Sequence, residues 1–415
     1  MKKNRARLMT PPGAASARSL LVVLLCTATA ATQAQDYGRY VNRTAEWTPV
    51  GGNLLHRFHN MYNLHVLETP EDPAYPFKGW FFGWMVEDCN PGYPGCDAIC
   101  AARAPAITGP WEVYAGEQDG KAAWDATMTP ARWVPVIAGG DRYYNNWHIG
   151  DPSVVRVGDT FHMAYSATGF NLDGIPYGRP GDTDSDISCI MGATSDDGLR
   201  WRISDAPILV DAANIGQAPV EPGGYQHPTG IYHRPSILHE DGRFKIWFDS
   251  CVYGKPCMML YAENVGDFMN PADWKILRGM DNPCIYEFPN PDVVRVGDVY
   301  YAYADPGGHP GDGWTRRKTT EAASINGRDW ILLGYIDADD DVQANHVPEA
   351  TVIKDAGKTW IYLAYAGQRR GDFRYGCIRM RRREITPDEL ERITALCADL
   401  APGPLPFLPP PTKEP

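Results

Sequence analysis

Long apolar runs are almost absent from this sequence of 415 residues. The one that stands out, residues 20–31, has about 12 residues, whereas a membrane-spanning helix needs roughly 20. Ala34 follows it among small residues, and basic residues precede it, which is the pattern of a secretory signal peptide. We therefore predict that residues 1–34 are a signal peptide and that the protein is secreted or periplasmic. The basic residues are Lys2, Lys3, Arg5, Arg7 and Arg18.

An excess of positive charge is also missing. The chain has 39 Lys and Arg residues against 51 Asp and Glu residues, which gives a net charge of −12. Proteins that bind a phosphate backbone present basic stripes, so the balance argues against a nucleic-acid partner. It predicts an extracytoplasmic protein with an acidic surface.

Paired CxxC motifs, which would indicate a zinc site, do not occur among the 10 cysteines. Cysteines in an oxidising compartment tend to form disulfides. The short-loop candidates are Cys89 with Cys96 or Cys100, and Cys251 with Cys257.

What the sequence does contain is an internal repeat. Val-Val-Arg-Val-Gly-Asp at residues 154–159 recurs at residues 293–298. An Asp-Pro or Asn-Pro pair precedes each copy, and an aromatic strand pattern follows it. A β-branched strand, a Gly-Asp turn and a second strand predict a β-hairpin.

Looser copies of this hairpin begin near residues 60, 234 and 349, and a further strand–turn–Trp pattern follows several of them. Each unit therefore predicts a four-stranded blade, and the set predicts an all-β, five-bladed propeller over residues 50–385. A β-sandwich is the alternative. Residues 386–399 predict a helix with Thr386 as N-cap and Pro387 at N1. Residues 401–415 are Pro-rich and predict disorder, so residues 386–415 form a helix and tail.

Equivalent residues of the innermost strands form rings around a propeller channel. In each repeat, the residue three positions before the first Val or Ile of the strand belongs to one such ring. These residues are Asp151, Arg234, Asn290 and Glu349, and Asn60 is the candidate for the fifth position. Strand residues two apart share a face, so a second layer follows. The second layer consists of Ser153, Ser236, Asp292 and Thr351. Three residues before each ring position stand His148, Ile231, Glu287 and His346, and His233 and Trp147 are adjacent in sequence.

Ionisable residues are seldom buried unless they are paired or functional. The polar ring therefore predicts a site at one mouth of the channel. The alternative is that these residues pair with one another and hold the blades in register.

The pattern resembles the five-bladed propeller glycoside hydrolases of families 43 and 117, with the fructan hydrolases as more distant relatives. The matching pieces span residues 50–385. They are Asp151-Pro152, the aromatic second strand, Ser195-Asp196-Asp197-Gly198 before Trp201, and Gly109-Pro110-Trp111-Glu112.

The resemblance implies an inverting hydrolase of plant or algal oligo- or polysaccharides. It implies Asp151 as base, Glu349 as acid and Asp292 as the tuning carboxylate, although Asn290 occupies the expected ring position. Glu287 competes for the acid role. Because the acid of family 117 is a His, His148, His233 and His346 are further candidates.

Other predicted substrate-binding residues are Arg234, which suits sugar hydroxyls or a carboxylate, and Trp147, which suits stacking on a sugar face. Relatives imply a possible central divalent cation with His346 or His148 as ligand; no other cofactor is expected. Two further functions stay open: a non-catalytic carbohydrate- or protein-binding propeller, and a glycoside phosphorylase, which needs a cationic cradle such as Arg234 with Arg369 and Arg370.

Overall fold

The computed structural model describes residues 41–58, 61–84, 97–142, 144–169, 187–211, 231–251, 257–306, 317–342, 344–369, 372–400 and 402–405. The chain divides into two units, residues 1–41 and 42–415. The structure describes one residue of the first unit, Val41. Among the described residues, no helix is both long and apolar enough to span a bilayer.

Within the described residues, the regular structure consists of twenty-three strands, one α-helix and three short 3-10 helices. The first two strands are β1 (Val41–Asn42) and β2 (Thr48–Phe58). The first blade contains β3 (Tyr62–Glu68), β4 (Phe77–Gly83), β5 (Ala98–Ala104), β6 (Glu112–Gln118) and β7 (Lys121–Asp125). The second contains β8 (His148–Val157), β9 (Thr160–Gly169), β10 (Ile187–Ser195) and β11 (Arg202–Ile203).

The third blade contains β12 (Ile231–Glu240), β13 (Arg243–Cys251), β14 (Met258–Asn264), β15 (Trp274–Arg278) and the short β16 (Ile285–Tyr286). The fourth contains β17 (Asp292–Val296), β18 (Val299–Ala304), β19 (Thr319–Ser324) and β20 (Ile331–Ile336). The fifth contains β21 (Ala344–Asp355), β22 (Lys358–Arg369) and β23 (Asp372–Ile385), and the helix α1 (Pro387–Ala398) follows it.

Five antiparallel sheets therefore follow one another along the chain, as the repeat predicted. The first strand of each sheet contacts the first strand of the next, so β3, β8, β12, β17 and β21 line a central channel. The fifth sheet is completed by β2, which pairs with β23, for example Leu55 opposite Ile378. This pairing of chain ends closes the propeller.

A backbone irregularity recurs on the channel strands. In four of them, a β-bulge near the start of the strand shifts the pairing register with the second strand by one residue. The bulges lie between Tyr62 and His65, Gly150 and Ser153, His233 and Ser236, and His346 and Glu349. One residue at this point has a left-handed φ near +50° in every blade: Asn63, Asp151, Arg234, Asn290 and Val347. Such a φ is costly for a residue with a side chain, above all a β-branched one. The closed ring of blades therefore overrides the local preference of the chain.

Neighbouring blades are also joined by tryptophans of the second strands, which reach the turn after the third strand of the next blade. Trp80 of blade 1 donates its Nε1 hydrogen to the carbonyl of Gly198 in blade 2 (2.9 Å), and Trp247 of blade 3 donates to Gly327 in blade 4 (2.7 Å). Both glycines have a left-handed φ, and both lie at the edge of the six-membered ring of the incoming indole, next to Cζ2. The Ser-Asp-Asp-Gly turn of the repeat is thus a socket for the preceding blade.

The C-terminal helix agrees with its prediction. Thr386 caps it by accepting the Glu389 amide (3.3 Å), and Pro387 is its first residue. Glu389 also binds Arg383 (2.7 Å), which in turn reaches Glu321 of blade 4 (2.6 Å). Arg43 donates to the second oxygen of Glu321 (2.6 Å). This buried charge cluster ties the N-terminal segment and the helix to the last two blades.

Two smaller predictions have different outcomes. The tail was expected to be disordered, but the Leu405 amide bonds to the Cys284 carbonyl (3.1 Å), and Leu405 packs on the core between blades 3 and 4, so the prediction is wrong there. The proposed disulfides remain predictions, because Cys89, Cys96 and the Cys251 side chain lie outside the described residues.

The glycine sockets give a testable stability difference. A Cβ on Gly198 would lie 2.9 Å from Cζ2 of Trp80, whereas one on Gly242, which has a similar left-handed φ, would meet no atom within 4 Å. Both Gly198→Ala and Gly242→Ala incur a backbone cost of about 1 kcal/mol, but only Gly198→Ala adds overpacking of about 1–3 kcal/mol. Urea unfolding should show Gly198→Ala to be the less stable variant by at least ~1 kcal/mol, and equal stabilities would contradict the socket.

Candidate active site

Two rings of side chains line one end of the channel. The mouth ring consists of the five left-handed residues Asn63, Asp151, Arg234, Asn290 and Val347. The inner ring consists of the residues two positions further along each strand: His65, Ser153, Ser236, Asp292 and Glu349. Every inner-ring residue is buried.

The inner ring forms a closed circuit of hydrogen bonds between blades. Ser153 accepts the Ile237 amide (3.0 Å), Ser236 accepts the Val293 amide (2.9 Å), and Asp292 accepts the Ala350 amide (2.5 Å).

Glu349 of the fifth blade continues this circuit into the first blade. It accepts from Asn63 and contacts His65 (Oε2 to Nδ1, 3.1 Å). His65 then reaches the Val154 carbonyl of the second blade (2.7 Å). Each blade is thereby joined to the next at the channel.

This geometry corrects the predicted alignment of the fifth blade. Glu349 was placed in the same ring as Asp151, but the strand register places Val347 there and Glu349 in the inner ring. Thr351, predicted for the second layer, lies two residues beyond it. The signal was present in the sequence: Pro348 aligns with Pro152, Pro235 and Pro291. Counting from the first β-branched residue shifted the blade by two positions. The fifth mouth-ring residue is Asn63, and Asn60 lies outside the described residues.

The contacts of His65 define the state of Glu349. Because Nε2 of His65 faces a carbonyl oxygen, that nitrogen carries the hydrogen of the neutral ring, and Nδ1 faces Glu349 as an acceptor. Burial lowers the pKa of His65 to about 4. Burial, together with the charges of Asp292 and Asp151, raises the pKa of Glu349 well above its usual value. At neutral pH the pair is therefore a neutral His and a protonated Glu.

Asp292 has a different environment from Glu349. Burial raises its pKa to about 6, while the Ala350 amide and the Ser236 hydroxyl (2.8 Å) oppose that effect by stabilising the carboxylate. Asp292 is thus ionised at neutral pH and keeps a negative charge close to Glu349.

Asp151 is buried in the mouth ring, and its two oxygens differ. Oδ2 lies 3.4 Å from Nε2 of His233, and Oδ1 lies 3.7 Å from Nε of Arg234. Within the described part of the chain, Oδ1 has no hydrogen-bond partner. A buried carboxylate oxygen without a donor is suited to accept a proton.

Arg234 lies among acidic residues. Burial alone would lower its pKa, but the charges of Asp151, Asp249 and Asp305 raise it. Its Nη1 group donates to Asn290, and Asn290 donates to Asp305. The guanidinium predicted to hold substrate is therefore largely engaged by the protein.

Asp249 and Asp305 were missed by the sequence analysis. They end the second strands of blades 3 and 4 and accept the amides of the next mouth-ring residues, Asn290 (2.9 Å) and Val347 (3.2 Å). In the same way, the Ser166 hydroxyl of blade 2 accepts the amide of Arg234 in blade 3 (2.7 Å). Aligning the ends of the aromatic strands, and not only their starts, would have revealed this acceptor position.

The remaining predicted residues lie around the mouth. His148 contacts Asp97 of blade 1 (2.6 Å), and the half-buried Trp147 packs edge-on against it (ring centroids 6.1 Å apart). His346 bonds to Asp305, contacts Arg317 (3.1 Å) and packs against Tyr62. Glu287 is half-buried, which raises its pKa, and the described residues give it no hydrogen bond or ion pair.

The described residues that come closest to a metal-ligand set are His65, Asp292 and Glu349, whose ligand atoms lie within 4.8 Å of one another. A nitrogen and two carboxylates suit a divalent cation chemically. However, Nδ1 of His65 and Oε2 of Glu349 already lie at hydrogen-bond distance, and Asp292 accepts two hydrogen bonds. A cation here would replace the proton between His65 and Glu349. The predicted cation with His148 or His346 as ligand remains a prediction.

Asp249 gives a pH-dependent stability prediction. Burial raises its pKa to about 7, so the folded protein binds a proton that the unfolded chain releases near pH 4. Ionised Asp249 therefore destabilises the fold increasingly as the pH rises from 4 to 7. The Asp249→Asn variant keeps an acceptor for the Asn290 amide and should be more stable than the wild type at pH 8, by at most about 1.4 kcal/mol per unit by which the pKa is raised. Near pH 4.5, chemical unfolding should show nearly equal stabilities; a gain independent of pH would contradict the raised pKa.

Comparison with known proteins adds information on the fold. No protein-family profile matches the chain, and no curated protein sequence matches it. The solved structure of a BT0996 complex with RGII is similar with a TM-score of 0.54 and 13% identity, covering 84% of this chain and 95% of that one. A structure solved as "Glycoside hydrolase" has a TM-score of 0.51 and 12% identity, covering 86% and 95%.

A thermostable family-43 glycoside hydrolase is also similar, with a TM-score of 0.49 and 14% identity, and it covers 82% of this chain and 95% of that one. Glycoside hydrolases of families 117 and 32 are among the other similar structures. The expected resemblance is confirmed for the architecture: the chain has five successive sheets, and its fold is similar to that of the two solved structures with TM-scores above 0.5.

Proposed function

We propose that the protein is an extracytoplasmic glycoside hydrolase that cleaves O-glycosidic bonds of plant or algal oligo- or polysaccharides by inversion. The observation that carries the proposal is the convergence of Asp151, Asp292 and Glu349 at one end of the channel. Carboxyl oxygens of Asp292 and Glu349 lie within 4.8 Å of one another, Asp151 occupies the adjacent mouth ring, and the charges of both aspartates act on Glu349, although the three residues come from three blades.

Inversion requires one carboxylate that activates water and one carboxylic acid that protonates the leaving oxygen, roughly 6.5–9.5 Å apart. Asp151 suits the first role because its Oδ1 atom has no donor among the described residues. Glu349 suits the second because burial and its neighbours raise its pKa. The two groups thus offer the two complementary functions that inversion needs, an available lone pair on Asp151 and a proton held on Glu349.

The proposed step is balanced in protons. A water molecule gives a proton to Asp151 while its oxygen attacks the anomeric carbon. The bond to the leaving oxygen breaks, and Glu349 gives that oxygen its proton, for which the O–H turns away from His65. The Asn63 amide then stabilises the carboxylate that forms on Glu349, and exchange with solvent restores both groups.

Asp292 supports this step without receiving a proton. Its negative charge beside Glu349 keeps the proton on the acid until the leaving group requires it. The two hydrogen bonds that Asp292 accepts hold its carboxylate in place. This is the tuning role that the family resemblance implied.

The structure offers less support for a phosphorylase. Phosphate binding at the mouth requires a cationic cradle, and three carboxylates already surround Arg234. Arg370 lies outside the described residues. Phosphate-independent turnover is therefore the expectation for this site.

The test is an activity screen followed by two conservative variants. Wild-type protein is assayed against aryl glycosides and arabino-, xylo- and agaro-oligosaccharides, and Asp151→Asn and Glu349→Gln are assayed on any substrate found. Because positioned acid–base groups typically contribute 10²–10⁴-fold, each variant should lose at least about 100-fold in kcat on an unactivated substrate. Asp159→Asn, at the exposed far turn after the same strand, is the matched control.

Wild-type turnover by both site variants would contradict the assignment. Saturable binding of an oligosaccharide without hydrolysis of any substrate would instead favour the non-catalytic propeller.

A further inference from the structure

His233 lies between the proposed base and two groups of its own blade. Its Nε2 atom is 3.4 Å from Oδ2 of Asp151. On the other side of the ring, Nε of Arg234 donates to Nδ1 (3.1 Å), and Oδ1 of Asp249 lies 3.9 Å from the same nitrogen. About a quarter of the imidazole surface is exposed, so the ring is held mainly by protein contacts.

The Arg234 contact determines the tautomer of His233. A guanidinium nitrogen is always a donor, so the nitrogen that it faces must present a lone pair. The hydrogen of the neutral imidazole is then on Nε2, which faces Asp151. Burial lowers the pKa of His233 to about 4, and the charges of Arg234 and His148 act in the same direction, although Asp151 opposes them. His233 is therefore neutral over the working range of most enzymes.

This arrangement distinguishes the two oxygens of Asp151. One oxygen faces the N–H of His233, and the other lacks a hydrogen-bond donor among the described residues. We propose that Arg234 and His233 are positioning residues that act in series. Arg234 fixes the His233 tautomer, and the His233 N–H holds Oδ2 of Asp151, so that Oδ1 is the atom that accepts the proton from water. This inference rests on the proposed function of Asp151 as a base.

The proposal gives Arg234 a role other than substrate binding. Its Nε group is directed at His233 and its Nη1 group at Asn290, so two edges of the guanidinium are occupied by the protein. A lysine would supply the charge but not the two directed donors. Donating to His233 and Asn290 at the same time therefore requires an arginine, and not a lysine, at position 234.

Several charged groups face this chain of contacts and set its response to pH. Asp249 from β13 and Asp305 from the end of β18 act on Arg234, and His148 from β8 acts on His233. The charge of Asp151 in turn raises the pKa of Glu349 from β21. Of the two described nitrogens that pair with Asp151, Nε2 of His233 is the nearer (3.4 Å, against 3.7 Å for Nε of Arg234), so its N–H is the group whose removal should have the clearest effect.

The first test does not depend on enzymatic activity. Long-range ¹H–¹⁵N spectra of full-length wild-type protein report the tautomer of each histidine, and the His233→Gln spectrum identifies the signal of His233. We expect the neutral Nε2–H tautomer from pH 5.5 to 8. An Nδ1–H tautomer, or an imidazolium at pH 7, would overturn the proposal even if the protein is an active hydrolase.

The second test uses two variants with different donors. The side-chain amide introduced by His233→Gln can replace the Nε2–H donor, whereas His233→Leu removes it. On a substrate from the activity screen, His233→Leu should lower kcat/KM by about 10–100-fold and move the acidic limb of its pH profile to higher pH. His233→Gln should retain most of the activity and the wild-type limb. Identical profiles for the two variants would exclude a positioning role.

The two tests separate the possible failures. If the wild type hydrolyses nothing but His233 has the expected tautomer, then the proposed function fails while the Arg234–His233 contact stands. If hydrolysis depends on Asp151 but the tautomer or the pH profiles of the two His233 variants disagree, then the positioning role fails alone.

Discussion

The hydrogen-bond circuit of the inner ring is the constraint on which the site depends. Five blades can close around a channel only if the polar backbone groups exposed there find partners, because an unsatisfied buried group costs about 1–3 kcal/mol. One side chain per blade reaches the next blade: four of them bond a backbone group there, and Glu349 bonds the Asn63 side chain. The left-handed residue two positions earlier bends each strand so that this side chain faces the channel. Substitution of a ring member therefore affects the junction of two blades at once.

The circuit also explains how a structural framework supports acid–base chemistry. A serine suffices at two of the five positions, as Ser153 and Ser236 show. Carboxyl groups at Asp292 and Glu349 fulfil the same bridging role but bring two ionisable groups together in a buried space. Burial raises both pKa values, the charge of Asp292 raises that of Glu349 further, and hydrogen bonds oppose the shift at Asp292, which leaves one group charged and one protonated. The contact between blades 5 and 1 is thus also the proposed acid.

Much of the fold could be predicted from the sequence because blades repeat local patterns. The duplicated hexapeptide and the Thr386-Pro387 helix start depend on residues close in the chain, and both predictions are confirmed. The ring assignment failed for Glu349 because Ala350 stands where the other blades have a β-branched residue, so the count began two positions too late in that strand. Asp249 and His65 escaped detection because their partners lie in other blades, and no local pattern reports such contacts.

The most direct test of this account is a crystal structure of the Glu349→Gln variant with an oligosaccharide that the wild type hydrolyses. We expect a sugar over the mouth ring, with its scissile oxygen beside residue 349 and a water between the anomeric carbon and Oδ1 of Asp151. The side chains of residues 151 and 349 should be separated by roughly 6.5–9.5 Å, the range of inverting enzymes. A sugar bound with its scissile bond away from both side chains would contradict the account.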